Sequence, residues 1–426
     1  MPAVDNAIPG QTTRLRFTDY IKINIFGFAI NILWNPMSTI ILPILVLQFG
    51  SESWKNTYLS LITAAGIILA IIVQPIAGSF SDNSSLRWGR RRPYILAGSV
   101  LIVIMLGLLG LVDNLTMLFV AYCFLQVASN IANGPWNGLI PDLVPMQKRG
   151  MASGTKGTME ILGAVVGIQL IGYIMSERLQ WEAGSKLFLS LGIIAAVFMA
   201  CMLITVLGVR EKHAEPGPKI TTQLASLLKI FKISGSRKRD FIYYLASRCL
   251  FMIPLFIVRT FGYYLFKDAT RVKDPLATVA DLTVVVALCL LIAVLPMGYV
   301  ADRIGRRPIV AIAAATGIAG FIILIIFDTE FPILVGGGLI GLANGAFMSA
   351  NWALATDLCE KGQEARYLGL TNLATGGASL IATIAGPVMD FFNSLKMPRM
   401  GYEIVLSVCI ALFVLSVFLV YRIKTR

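Results

Sequence analysis

Two stretches of this 426-residue chain decide its fold. They are Gly78-Ser79-Phe80-Ser81-Asp82, followed by Gly89-Arg90-Arg91-Arg92-Pro93, and Gly298-Tyr299-Val300-Ala301-Asp302, followed by Gly305-Arg306-Arg307-Pro308. Each closes an apolar run with an acid, turns on glycine, lays down arginines and restarts an apolar run at proline. Asp82 and Asp302 stand 220 residues apart, close to half the chain. A second pair of landmarks is Trp136-Asn137-Gly138-Leu139-Ile140-Pro141-Asp142-Leu143 and Asn351-Trp352-Ala353-Leu354-Ala355-Thr356-Asp357-Leu358. Their acids lie 215 residues apart, and Arg149 and Arg366 follow them. Two landmarks at nearly one offset imply a duplicated chain, an arrangement that recurs among membrane transporters.

Around these loops the chain is apolar: 57% hydrophobic, 14% charged, mean hydropathy +0.77. That lies well beyond the soluble range. Runs reaching the roughly 20 residues that cross a hydrocarbon core fall at 20–49, 57–80, 93–112, 115–141, 151–175 and 187–209. A second set falls at 240–266, 277–300, 308–327, 332–357, 367–391 and 401–422. Backbone amides in lipid must pair within their own segment, so these are read as helices. The expected fold is all-α and integral to the membrane, with twelve transmembrane helices in two pseudo-symmetric six-helix bundles. Residues 1–19 form an N-terminal segment, 20–209 the first bundle, 210–239 a basic linker, and 240–426 the second bundle with a short tail. The first 19 residues lack the apolar core of a cleavable leader.

Lysine and arginine set the orientation. Arg14, Arg16, the Arg87–Arg92 cluster, Lys148, Arg149, Arg303, Arg306, Arg307, the linker cations and the tail fall on one side, whereas the opposite loops carry fewer cations. The positive-inside rule places that side, with both termini, in the cytoplasm. The net charge of +13 is therefore a topology signal dispersed among loops, not a nucleic-acid surface. The compact loops suggest the inner membrane of a prokaryote.

Enzyme chemistry has no foothold. The six cysteines lie in or at the ends of apolar spans without metal-ligand spacing, and the single histidine, His213, falls in the linker. Neither a nucleophile triad nor a phosphate loop appears, and no metal or cofactor is expected. Leu224, Leu227, Leu228 and Phe231 have helical spacing beside Lys229 and Lys232, which predicts a short amphipathic helix on the inner membrane face.

The repeated loops read as a cytoplasmic gate. Gly78 and Gly298 allow close helix approach, while Asp82 and Asp302 can pair with arginine or accept from a helix N-terminus. Pro93 and Pro308 suit the first turn of the next helix. Gly89, Arg90, Arg91, Gly305, Arg306, Asp357, Arg149 and Arg366 complete this set. A purely structural latch is the plainer reading.

These motifs resemble the inter-helix signature of the major facilitator superfamily, present here in both halves. The fuller form, Val73 to Asp82 followed by Arg87-Trp88-Gly89-Arg90-Arg91-Arg92-Pro93-Tyr94-Ile95, is similar to the sucrose/proton symporters. The glycoside–pentoside–hexuronide cation symporters share its Arg-Trp-Gly…Arg-Pro-Tyr portion. Gly134-Pro135 through Pro141-Asp142-Leu143-Val144-Pro145 points the same way. The resemblance implies alternating access around a substrate held between the bundles, with a proton-linked acid at Asp142. That residue lies near Lys148 and Arg149, so a gate salt bridge is the alternative. The second span carries no acid, which weakens sodium coupling relative to protons. Asn351 stands where some relatives are expected to carry aspartate, and an amide cannot titrate there.

Polar groups inside a membrane are costly and tend to face a cavity or one another. Gln126, Asn130, Asn133 and Asn137 recur at helical spacing on one stripe of the fourth span. Asn344 and Asn351 give a counterpart on the tenth, and Asn31, Trp34 and Asn35 precede Pro36 on the first. Amides and an indole suit a sugar's hydroxyls and apolar faces, but could equally knit helices together. Glu160 lies about eleven residues into the fifth span, roughly 16 Å deep at the helical rise. An acid there must be protonated or paired; Arg248 and Arg259 are its candidate partners or substrate ligands. Tyr263 and Tyr264 read as an interfacial aromatic belt. The expected function is proton-coupled symport of a sugar or glycoside by a monomer in the lipid bilayer, with Glu160 and Asp142 carrying the proton. A proton-driven exporter on the same fold is the alternative.

Overall fold

The structure, a computed structural model, describes residues 16–84, 86, 88–177, 179–209, 211, 238–359, 364–395 and 399–423, without the side chains of 364–366 and 368. The expected linker helix, His213 and the Arg366 side chain lie outside the described residues.

All regular structure among the described residues is helical. Eleven helices are long and apolar enough to cross a membrane. They are α1 (Phe17–Phe49), α2 (Glu52–Asp82), α3 (Arg92–Leu109), α4 (Leu115–Leu143), α5 (Met146–Met175), α6 (Ala183–Gly208), α7 (Lys238–Ala269), α8 (Pro275–Ile304), α9 (Arg306–Ile326), α10 (Glu330–Leu358) and, last in the chain, Met400–Tyr421. The crossing expected at 367–391 is divided into α11 (Glu364–Ala382) and α12 (Ala385–Asn393), so Met400–Tyr421 is α13. The break has a covalent cause. Pro387 has no N–H for the Thr383 carbonyl, and Gly386 N donates to that oxygen instead, over 3.2 Å.

The duplication read from the motifs recurs in the packing. In the first half α1 packs on α5 and α6, α4 on α2 and α3, and α3 on α6. In the second half α7 packs on α11 and α13, α10 on α8 and α9, and α9 on α13. These pairings correspond one for one. The halves meet through α5 against α8 and α2 against α12, which are themselves equivalent pairs. A similar internal operation therefore generates both the bundles and their interface.

The repeated glycines are where the backbone needs them. Gly89 and Gly305 have φ of 111° and 96°, the only positive-φ glycines among the described residues. With ψ of 158°, Gly305 occupies a region that is in practice reserved for glycine. Gly78 plays a smaller part than its place in the motif suggests. The intimate α2–α4 contact is at Gly134, where a Cβ would overlap the Gln74 carbonyl oxygen, whereas at Gly78 it would stand 4.0 Å from the Gly134 oxygen.

Gly89→Ala and Gly305→Ala are each expected to cost about 1–3 kcal/mol of stability, read as a lower unfolding midpoint of the detergent-solubilised protein. Gly78→Ala should leave that midpoint unchanged.

Candidate transport site

At the end of the molecule that carries the repeated loops, one arginine in each half bridges two acids. Arg91 reaches Asp82 over 2.5 Å and Asp142 over 2.9 Å, and Arg90 also reaches Asp142, over 2.6 Å. Arg306 reaches Asp357 over 2.9 Å and Asp302 over 3.7 Å. Arg91 and Arg306 both stand two residues before the proline that opens the next helix. The bridge ties the end of one helix to the end of another and spans the loop between them. Arg149 does not join it: its guanidinium donates to the Pro141 and Val144 carbonyls and caps the end of α4.

Glu211 is an element that the sequence did not reveal. Its carboxylate accepts from the Arg90, Arg91 and Arg92 backbone N–H groups at 2.7–2.9 Å. An acid beyond α6 thus satisfies the free amides at the start of α3 and favours the helix dipole.

At the opposite end the two halves are latched to each other. Lys55 of α2, only 5% exposed, pairs with Asp268 of α7 over 2.6 Å, and the Tyr402 hydroxyl donates to the same carboxylate over 2.5 Å. Asn56 donates to Asp390 of α12 over 2.8 Å, and Thr57 donates to it through both its backbone N–H and its hydroxyl. Tyr264 donates to the Pro43 carbonyl over 2.8 Å and is fully buried between the halves, so it does not belong to a lipid-facing belt. Sequence reading found none of this latch, because Lys55, Asp268 and Asp390 belong to no repeated motif.

Beneath the latch lies a cavity of about 350 Å³ between the halves. Asn35 and Thr39 of α1, Arg259 of α7, Thr283 of α8 and Asn344 of α10 are its polar lining; the rest is apolar. Asn35 precedes, and Thr39 lies within, a π-helical turn, Met37–Ile41, that follows Pro36. Such a turn is a frequent mark of functional helix segments. The Asn35 carbonyl accepts from Ser38 and Thr39 hydroxyls rather than from the helix alone.

The other polar residues expected to meet substrate divide differently. Asn31 donates to Gly27 and accepts from Asn35, while the Trp34 indole donates to Ser129. The α4 stripe bonds largely to itself, Asn130 onto Gln126 and Asn137 onto Asn133. Of the expected substrate ligands, Asn35, Asn344 and Arg259 line this cavity.

Glu160 is not paired with an arginine. Its partner is Lys156, one turn back on α5, at 3.8 Å. Lys156 has further support: it donates to Asn137 over 2.6 Å and stands 4.6 Å above the Trp136 ring. Arg248 is instead buried inside the second half, donating to Asn351 and, over 3.0 Å, to Thr375, with its guanidinium 5.4 Å above Trp352. Asn351 also accepts from Tyr244 over 3.0 Å. Asn351 is thus a fully buried acceptor for two donors, and no acid takes its place.

Two helical bundles, latched at one end around an internal cavity and built to span a membrane, define a multi-pass membrane transporter of major facilitator type. Residues 24–366 match the family described as MFS/sugar transport protein, and the chain belongs to that family. It is a transporter, not an enzyme, and its substrate is a small molecule. The multidrug resistance protein MdtG of Klebsiella pneumoniae (strain 342) is 23% identical to it over 72% of each chain. The sucrose transport protein SUT5 of Oryza sativa subsp. indica is 29% identical over 111 residues, 21% of each chain. The crystal structure of the nucleoside transporter NupG has the same fold, with a TM-score of 0.70, 16% identity and coverage of 96% of this chain and 99% of that one.

Removing one member of a buried charge pair costs about 3–5 kcal/mol, enough to shift a two-state population by about two decades or more. Asp268→Asn, which removes the close carboxylate partner of the buried Lys55, is therefore expected to open the latch. The readout is a cysteine at Val279, below the latch, in a background lacking the native cysteines. Its reaction with a membrane-impermeant maleimide from the latch side should accelerate at least tenfold.

Proposed function

We propose that the chain is a proton-coupled symporter of a sugar or glycoside. It works as a monomer by alternating access, in the inner membrane of a prokaryote with both termini cytoplasmic. The observation that carries this reading is the latch between the halves above an internal cavity. It is the geometry of a carrier closed on one face, and on the proposed orientation that face is the periplasmic one. The likeness to a sucrose transport protein supports a sugar as cargo.

Proton coupling is assigned to Glu160. Its carboxylate has one charge partner among the described residues, at 3.8 Å, whereas Lys156 is also held by Asn137 and Trp136. Protonating Glu160 therefore leaves Lys156 with partners, so the acid can take and release a proton without stranding a charge. Asp142 is a poorer carrier, since it is already engaged by both Arg90 and Arg91. It belongs to the gate. Sodium is not the proposed ion, because α2 has no acid between Glu52 and Asp82.

The longer likeness to MdtG favours a second reading, a proton-driven exporter on the same fold. The cavity disfavours a cationic cargo for it: its lining includes Arg259 and no acid.

Purified protein in liposomes should accumulate labelled sucrose or maltose under an inward proton gradient, and a proton ionophore should abolish this. Glu160→Gln should lose the gradient-driven accumulation yet keep sugar exchange. Full accumulation by Glu160→Gln would sink the coupling assignment, and gradient-driven efflux by the wild type would replace symport with export.

A further inference from the structure

We propose that the solute carries a single carboxylate on a largely apolar body and that Arg259 is the residue that binds it. This rests on the reading of the chain as a carrier and narrows the class of its cargo.

Arg259 makes no hydrogen bond or ion pair with any described residue, and its exposed surface lies in the cavity between the halves. The only titratable side chain acting on it among the described residues is the Tyr122 hydroxyl. The contrast with Arg248 is instructive. That guanidinium is engaged by Asn351, Thr375 and Trp352, so its charge is used inside the bundle. Arg259 remains protonated at any physiological pH and offers five donors in a rigid fork. An uncompensated guanidinium inside a membrane protein is expensive, and such residues mark substrate pathways. A carboxylate matches the fork with two parallel bonds and cancels its charge.

The remainder of the lining sets the rest of the solute. One cation and no acid line the cavity. A phosphate dianion would bring a second charge with nothing to meet it, whereas a monocarboxylate is balanced. The Thr39 and Thr283 hydroxyls already donate to the Asn35 and Val279 carbonyls of their own helices. Asn344, and Asn35 through its side-chain carbonyl oxygen, since its amide already donates to Asn31, are then the main uncharged side chains left to serve hydroxyls. A bare polyol would leave several of its hydroxyls unpaired here, at about 1–3 kcal/mol each, so a neutral sugar such as sucrose is expected as a weaker substrate than a sugar that carries a carboxylate and an apolar group. Met252, Phe256, Phe266 and Met348 instead offer an apolar bed. The cavity of about 350 Å³ falls within the usual size of a small-molecule site.

The test is binding to the purified full chain by calorimetry, with phenyl glucuronide, its methyl ester, phenyl glucoside and 3-phenylpropanoate as probes. The wild type should bind the two carboxylates at least tenfold more tightly than the two neutral glycosides. Arg259→Gln should lose that preference, and Arg259→Lys, which keeps the charge, should keep part of it. Arg259 holds no partner, so both variants should elute and melt as the wild type does. Equal binding of ester and acid, no binding of either carboxylate, or a preference that survives Arg259→Gln would each overturn the proposal. Charge-selective binding without gradient-driven accumulation would spare it and overturn the symport reading. Accumulation of neutral sucrose with no charge preference would do the reverse.

Discussion

A buried charge must find a partner, and the far end of this molecule is organised by that constraint. Lys55, nearly inaccessible, finds its close partner in Asp268 of the other half, at 2.6 Å, with the exposed Glu52 of its own half farther off at 3.7 Å. Asp390, also buried, accepts from Asn56 and Thr57 of the opposite half and from no other side chain among the described residues. Neither half can withdraw without leaving desolvated groups unpaired, unless water enters to replace the lost partner. That coupling joins closure to hydration, and it explains how a polar interface can hold two apolar bundles together where the hydrophobic effect between helices is weak.

The opposite end uses the same chemistry within each half instead of between them. Arg91 and Arg306 staple helix ends through paired acids, and Glu211 adds a cap to the start of α3. Such bridges make each bundle a rigid body. Rigid bundles joined by a breakable latch are the mechanical requirement for rocking about a central site. The duplicated packing supplies equivalent contact surfaces, α2 with α12 and α5 with α8, on which the bundles can move.

The two halves are alike in backbone but not in charge. In the first, Lys156 and Glu160 pair within α5, while in the second Arg248 and Arg259 form no ion pair with any acid among the described residues. Symmetry of fold with asymmetry of charge gives the two bundles different chemistry on the two sides of the cavity. It also separates the two arginines, equally plausible as ligands in the sequence, into a structural residue and a cavity residue.

By itself the sequence determined what local chemistry and periodicity control. Apolar length gave the membrane crossings, the repeated Asp…Gly-Arg-Arg…Pro loops gave the duplication, and the loops needed glycine at positions 89 and 305 because their backbone adopts positive φ. The amide stripe on α4 was legible for the same reason, since spacing along one helix fixes which side chains share a face. Only the tertiary structure decided which of those side chains meet. The pairing of Lys55 with Asp268 joins residues far apart in the chain, and no spacing rule reaches across two bundles. Glu160 found Lys156 on its own helix instead of an arginine across the interface, and Arg259 was left facing a void. Partner choice depends on distances between helices, set by packing, and periodicity along a single chain segment does not encode them.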